Sequence, residues 1–374
     1  MASSRMPPLN FALTRSFISA LRAAPLRPFH TLVRTTEERF RPPQVALHRP
    51  ADRRTRVTSC DPSVSPDCLG QILREQGTGR VPTIVLGGLV PDSLEQVFLL
   101  RRSLLKSGDL YYVNYPRSAF SLDALCAQLS DLIAELVEAG QPPVLFGVSF
   151  GAGLVLEWLR RARVAGVPAP LSGIVLVSPV TCVADLLAPG EAKPATLIGR
   201  ALKPFLETAG PVPAAAVEKS RTVFLRMFEA GAQNKLALRL LMTARESARL
   251  REAVMASILG ITWEGAQQRV RALAGMRAPV EYFAPALLPL SPAPTLILFA
   301  EREDAVLAPG APGMFALEGA HRAYFPQSSV QRVAARAGEP AVQHASLIFH
   351  VFEFLPALQA FYQKVRRGPL PLAA

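Results

Sequence analysis

The stretch Val144-Leu145-Phe146-Gly147-Val148-Ser149-Phe150-Gly151-Ala152 decides how this chain is read. It passes from an apolar run, Val144-Leu145-Phe146, into a segment with helical spacing over residues 152–163. A short apolar run ending at glycine reads as a buried strand. A strand that turns directly into a helix at a serine needs small residues on either side of it, because the turn is too tight for larger ones. The hydroxyl then stands above the sheet at a helix N-terminus, whose dipole favours a developing negative charge. Gly147-Val148-Ser149-Phe150-Gly151 alone is a weak signal. Between a strand and a helix it is the setting of a nucleophilic serine.

Working outward, the alternation repeats. Thr83-Ile84-Val85-Leu86 is a buried strand ending on Gly87-Gly88, residues 93–107 have helical spacing, and Leu110-Tyr111-Tyr112-Val113 is the next strand. Residues 121–139 read as a helix, with Leu122, Leu125, Leu129, Leu132, Ile133 and Leu136 on one face and Gly140 at its stop. Ile174-Val175-Leu176-Val177 is a further strand, and residues 44–47 and 56–60 are candidates for short early ones. Such alternation demands a mostly parallel sheet covered by helices on both faces. It stops over residues 182–292, which read as helices broken by Pro and Gly. Thr295-Leu296-Ile297-Leu298-Phe299 resumes it; residues 330–335 are one more candidate strand, and 347–365 are helical in two pieces around Pro356. The expected division is a basic N-terminal extension (1–57), an α/β core in two segments (58–181 and 293–374), and an inserted helical cap (182–292).

Composition narrows the classes. A chain of 374 residues that is 50% hydrophobic and 19% charged can fill a core and is not mostly disordered. Four cysteines exclude a disulfide scaffold, and Cys60 and Cys68 lack the second close pair that a zinc site needs. The net charge of +12 is localised: 11 Arg against Glu37, Glu38 and Asp52 in residues 1–57, and 14 Lys or Arg against eight Glu in residues 191–281. Basic and aromatic residues do not interleave on a compact module, so no nucleic-acid partner is expected. The first 36 residues hold no Asp or Glu, and Leu13, Phe17, Ala20, Leu21 and Ala24 share a helical face opposite Arg15, Ser19 and Arg22. This fits an organelle transit peptide, an amphipathic helix in peripheral contact with an anionic membrane, or a plain basic leader. The expected location is cytoplasmic or peripheral to a membrane, or an organelle in a eukaryote. The uncharged runs 165–184 and 282–300 are long enough to span a bilayer, but each carries prolines and a strand-like burst, so no transmembrane helix is expected.

Over residues 81–180 and 294–365 these features resemble the α/β-hydrolase superfamily, with the cap where its members often carry one. The resemblance implies a triad in the chain order serine, acid, histidine. It gives Ser149 as nucleophile and His344, between the last strand and the C-terminal helix, as general base. His350, in an apolar helical stretch, reads as packing, and His321 as exposed in a polar loop. The acid is expected after the 295–299 strand, in Glu301-Arg302-Glu303-Asp304-Ala305-Val306-Leu307. Asp304 fits the superfamily's Asp-x-Val spacing, Glu303 fits a count from the strand end, and Asp185 is a third option. The implied oxyanion hole joins the Phe150 N–H to that of Gly88 or Leu89. Many members have His-Gly where this chain has Leu86-Gly87, a change that spares the backbone donor. No glycine-rich phosphate loop with a following Lys and no His-Glu-x-x-His spacing occurs, so no cofactor or metal is expected.

The implied activity is hydrolysis of carboxylic esters or thioesters through an acyl-enzyme. A large apolar cap, with Val223, Leu225, Phe228, Leu236, Leu238, Leu240 and Leu241 on its candidate faces, points to a small-molecule acyl ester or lipid-like substrate with a medium or long chain. An acyltransferase using the same triad and a non-catalytic binding protein on this fold are the alternative readings.

Overall fold

A computed structural model describes residues 44–48, 65–232, 238 and 241–368. The amphipathic leader and the early strand expected at 56–60 lie outside the described residues. The strands are β1 (Val45–Leu47), β2 (Gln71–Glu75), β3 (Thr83–Leu86), β4 (Leu110–Asn114), β5 (Val144–Val148), β6 (Gly173–Val177), β7 (Thr295–Ala300) and β8 (Ser328–Val333). The helices are α1 (Ser93–Gln96), α2 (Arg101–Leu105), α3 (Leu122–Glu138), α4 (Phe150–Val164), α5 (Leu197–Glu207), α6 (Ala214–Gly231), α7 (Ala244–Gly260), α8 (Trp263–Gly275), α9 (Pro312–Tyr324) and α10 (Val351–Arg367).

The strands form one sheet in the order β1-β2-β4-β3-β5-β6-β7-β8. β1 and β2 are antiparallel at one edge, and β4 through β8 run parallel. β1 falls inside the segment that the charge pattern sets apart as an extension. That boundary is corrected: residues 45–47 pair with Leu73–Glu75 and belong to the sheet.

The pleat sorts the strand residues into two layers, because successive side chains point to opposite faces. Ile84, Leu86, Tyr111, Val113, Leu145, Ile174 and Leu176 join one apolar cluster with α3, α4, α5, α8 and α9. Val85, Leu110, Tyr112, Phe146, Val148, Val175 and Val177 join the other with α2, α7 and α10. Burial on both faces is why these strands read as continuous apolar runs rather than alternating ones.

Helix starts follow local chemistry. Ser121 caps α3 by accepting from the Ala124 N–H, and Gly140 closes the helix with φ +72°. Between β6 and β7, Thr196, Thr243 and Thr262 cap α5, α7 and α8 in the same way. Three local expectations are corrected. Residues 93–107 break into α1 and α2. Residues 312–324 are a helix carrying His321, where a polar loop was expected. α10 continues through Pro356, held by Phe354, Leu358, Phe361 and Tyr362 in the second apolar cluster.

The strand order places the site. The chain adds β4 on one side of β3 and β5 on the other, so the carboxyl ends of β3 and β5 flank a switch point where connections leave in opposite directions. Open α/β sheets bind ligands at such a crevice.

Candidate active site

Ser149 stands at the end of β5, with its N–H donating to Val177 O at 2.8 Å. Its backbone has φ 52° and ψ −115°, a conformation that non-glycine residues rarely adopt and that functional sites retain. The flanking glycines are obligatory. A Cβ on Gly147 would lie 2.6 Å from Ala152 Cα, and one on Gly151 would lie 2.2 Å from Leu86 O and 2.4 Å from Gly87 O. The close approach at Gly151 seats the start of α4 against the end of β3.

The Ser149 hydroxyl donates to His344 Nε2 at 2.9 Å, and His344 Nδ1–H donates to Glu303 Oε2 at 2.5 Å. The tautomer follows from the acceptor: an ionised carboxylate has no proton to give, so Nδ1 carries it and Nε2 is free to accept. The second oxygen, Glu303 Oε1, accepts from the Ala300 N–H at 2.7 Å. Both side chains are nearly inaccessible, at 7% for His344 and 5% for Glu303. The loops after β7 and β8 bring them together: Arg302 N–H donates to Val342 O at 2.9 Å, and residues 302 and 343 form a parallel bridge.

The assignment of the acid to Asp304 is therefore corrected. Asp304 points outward, its side chain 66% exposed, and takes a bidentate contact from Arg302 at 2.9 and 3.1 Å. That guanidinium holds the Asp304 carboxyl below its ordinary range. Asp185, the third option, is buried away from the histidine. Its carboxylate accepts from the Thr181 N–H and hydroxyl and the Cys182 N–H, and from the Gly313 N–H, which ties the loop after β6 to α9. Burial raises the Asp185 carboxyl despite these donors. His321 Nδ1 meets Ser328 Oγ at 2.7 Å, and His350 contacts Ser346 Oγ at 3.0 Å and Pro340 O at 3.3 Å; neither approaches Ser149 through these bonds.

Of the three backbone donors expected to hold an oxyanion, one is already engaged. Gly88 N–H donates to Gln96 Oε1 at 2.9 Å, and Gly87 N–H to Ser93 Oγ at 2.9 Å. Leu89 N–H has no partner among the described residues, and Leu89 lines the cavity together with Ser149 and Phe150. Phe150 opens α4, and the first N–H groups of a helix have no partner within it.

Several supporting residues carry no motif. Ser178 follows β6 as Ser149 follows β5. With φ 44°, it accepts the Ala345 N–H on its hydroxyl at 3.0 Å and so fixes the residue after His344. Gln96 and Tyr115 hold the loop after β3, the latter by donating its hydroxyl to Gly87 O at 2.7 Å. The one signal that points to them is their position at the carboxyl end of the sheet.

A cavity of about 720 Å³ opens from Ser149 and His344. Its walls come from Phe224, Met227 and Phe228 on α6, Val254 and Ile258 on α7, and Ile348, Phe349 and Phe352 near the start of α10. Of the apolar residues singled out on the cap, Phe228, Leu238 and Leu241 line it. Val223 and Leu225 pack against the two core clusters, and Leu236 and Leu240 lie outside the described residues. Among the described residues no group of three His, Cys, Asp or Glu is arranged to hold a metal ion. No described helix is long and apolar enough to cross a membrane.

No protein-family model matches the chain, and no curated protein matches it. Solved structures do. It is similar to an esterase from Thermogutta terrifontis at 14% identity, over 79% of this chain and 94% of that one, with a TM-score of 0.51. An esterase from Exiguobacterium antarcticum is 13% identical over 79% and 96%, with a TM-score of 0.51. A membrane phospholipase A, a bacterial virulence factor, is 15% identical over 96% and 98%, with a TM-score of 0.53. At these identities the likeness is one of fold.

Proposed function

We propose, on the premise that this chain has the α/β-hydrolase fold, that it is a serine hydrolase cleaving carboxylic esters or thioesters of medium to long acyl chains. The observation that carries the reading is the continuous relay from Ser149 Oγ through His344 to Glu303 at 2.9 and 2.5 Å, opening into a largely apolar cavity.

In this reading Ser149 Oγ attacks the acyl carbon while His344 Nε2 takes its proton. The carbonyl oxygen becomes an oxyanion that accepts from the Phe150 and Leu89 N–H groups, beside the positive end of α4. Glu303 holds the imidazole tautomer and offsets the charge it gains. The imidazolium then protonates the leaving alcohol or thiol, and water, deprotonated by the same Nε2, releases the acid. The apolar walls favour an acyl chain, since each buried methylene contributes about 0.8 kcal/mol. Neighbours named as esterases and a phospholipase support an ester substrate.

The test is covalent labelling with a fluorophosphonate probe, followed by an ester panel of increasing acyl length. Labelling at Ser149 is expected, and Ser149→Ala is expected to lose it and to lower kcat by about 10⁴–10⁶. Undiminished labelling of that variant would remove the assignment of the nucleophile.

A further inference from the structure

We propose that Arg269, on α8 between β6 and β7, is a positioning residue of this site: its guanidinium fixes the loop that presents the Leu89 N–H to the oxyanion. The proposal rests on the hydrolytic reading above.

The polar groups of the loop after β3 can be followed one by one. Gly87 N–H goes to Ser93 Oγ, Gly87 O to the Tyr115 hydroxyl, and Gly88 N–H to Gln96 Oε1. These three anchors stand on α1 and just beyond β4. The fourth comes from the helical insertion: Arg269 Nη1 donates to Leu89 O at 2.7 Å. The Leu89 N–H, on the same residue that Arg269 grips, has no hydrogen-bond partner among the described residues.

Arg269 is an unusual choice for a simple tie. It is 3% exposed, and none of the described ion pairs includes it. Nη2 donates to Tyr115 O and Pro116 O at 3.2 and 3.0 Å, Nε has no partner, and the guanidinium lies 5.5 Å from the centre of the Tyr115 ring. The nearby carboxylate of Asp92 is engaged by Arg117 at 3.0 Å. Burial lowers the Arg269 pKa to about 10. A buried cation satisfied only by carbonyls is costly where packing alone would serve. A cation gripping the donor residue of an oxyanion hole, in a medium of low dielectric, instead favours the charge that forms there. It also makes assembly of the hole depend on a seated insertion.

The experiment compares the parent enzyme with Arg269→Met and Arg269→Lys on a short soluble ester, chosen because its acyl chain leaves most of the cavity empty. Arg269→Met is expected to lower kcat by about 10²–10³, as loss of an oxyanion donor does, with KM changed less than about threefold. Its rate of fluorophosphonate labelling should fall in parallel, since phosphonylation builds the same oxyanion. Arg269→Lys keeps the charge but loses the fork, and should fall between. A kcat for Arg269→Met within about threefold of the parent overturns the proposal. If Arg269→Met does not fold, Arg269→Lys decides: a lowered kcat at unchanged KM and unchanged circular dichroism supports it, and an unchanged kcat overturns it. Failure of the hydrolytic reading has a different signature, absence of labelling in the parent itself.

Discussion

Glu303 reaches His344 because the turn after β7 folds its side chain back toward the sheet, with one oxygen on the Ala300 N–H and the other on the imidazole. The Glu303 carbonyl accepts from the N–H groups of Val306 and Leu307, which locks the turn. Arg302 and Asp304 on either side point outward and pair with each other. Glu303→Gln is expected to lower kcat by about 10⁴, because an amide can donate to Nδ1 and so stabilise the wrong tautomer. Asp304→Asn removes an exposed surface ion pair, of a kind that contributes little, and should leave kcat within about twofold. Steady-state kinetics of the two variants on one ester separates them; a crippled Asp304→Asn with an active Glu303→Gln would reverse the assignment.

α6 and the start of α10 supply apolar walls of the cavity that also reaches Ser149 and His344. The Phe228 and Phe349 rings meet with centroids 5.5 Å apart, and a Cβ on Gly231 would lie 2.4 Å from the Phe349 ring, so the end of α6 is packed closely there. Removing one ring should lengthen the cavity rather than collapse it. Phe228→Ala is expected to move the acyl-length optimum toward longer chains. Each further methylene accommodated is worth about 0.8 kcal/mol, or roughly fourfold in kcat/KM. Labelling by a small fluorophosphonate should stay near that of the parent. Measured across an ester series, an equal drop at every chain length would assign Phe228 a purely structural role.

On the scale of the whole molecule, stability rests on two apolar layers divided by the sheet, and β1 closes one edge. β1 covers the outer edge of β2, while the His48 ring meets Tyr111 edge-on at 5.2 Å. An uncovered strand edge leaves backbone groups unpaired and invites association. Deleting residues 1–40 is expected to leave the melting temperature and the hydrolysis of a soluble ester unchanged. Deleting residues 1–48 should lower the melting temperature by roughly 2–5 °C, at about 2–4 °C per kcal/mol. Calorimetry of both truncations checks this, and equal melting temperatures would show that the edge strand contributes nothing.

Much of this architecture is local in origin. Runs such as Ile84-Val85-Leu86 and Val144-Leu145-Phe146 are buried on both faces and declare strands by composition alone. Gly147 and Gly151 declare the turn because any Cβ there would collide with backbone. Ser149 and His344, the proposed nucleophile and base, are legible for the same reason: each is tied to the end of a strand or the start of a helix. The acid was not. Glu303 and Asp304 are adjacent, both ionisable, and equally compatible with the loop; only the turn that turns Glu303 inward and Asp304 outward separates them. The sequence does not separate Gly88 from Leu89 as the proposed oxyanion donor; in the structure the Gly88 N–H is taken by the Gln96 side chain. Arg269 left no trace in the sequence, because its role depends on carbonyls brought to it across the fold. Periodicity and steric exclusion are properties of neighbouring residues, whereas hydrogen-bond partners distant in the chain are chosen only when the sheet and its insertion close on one another.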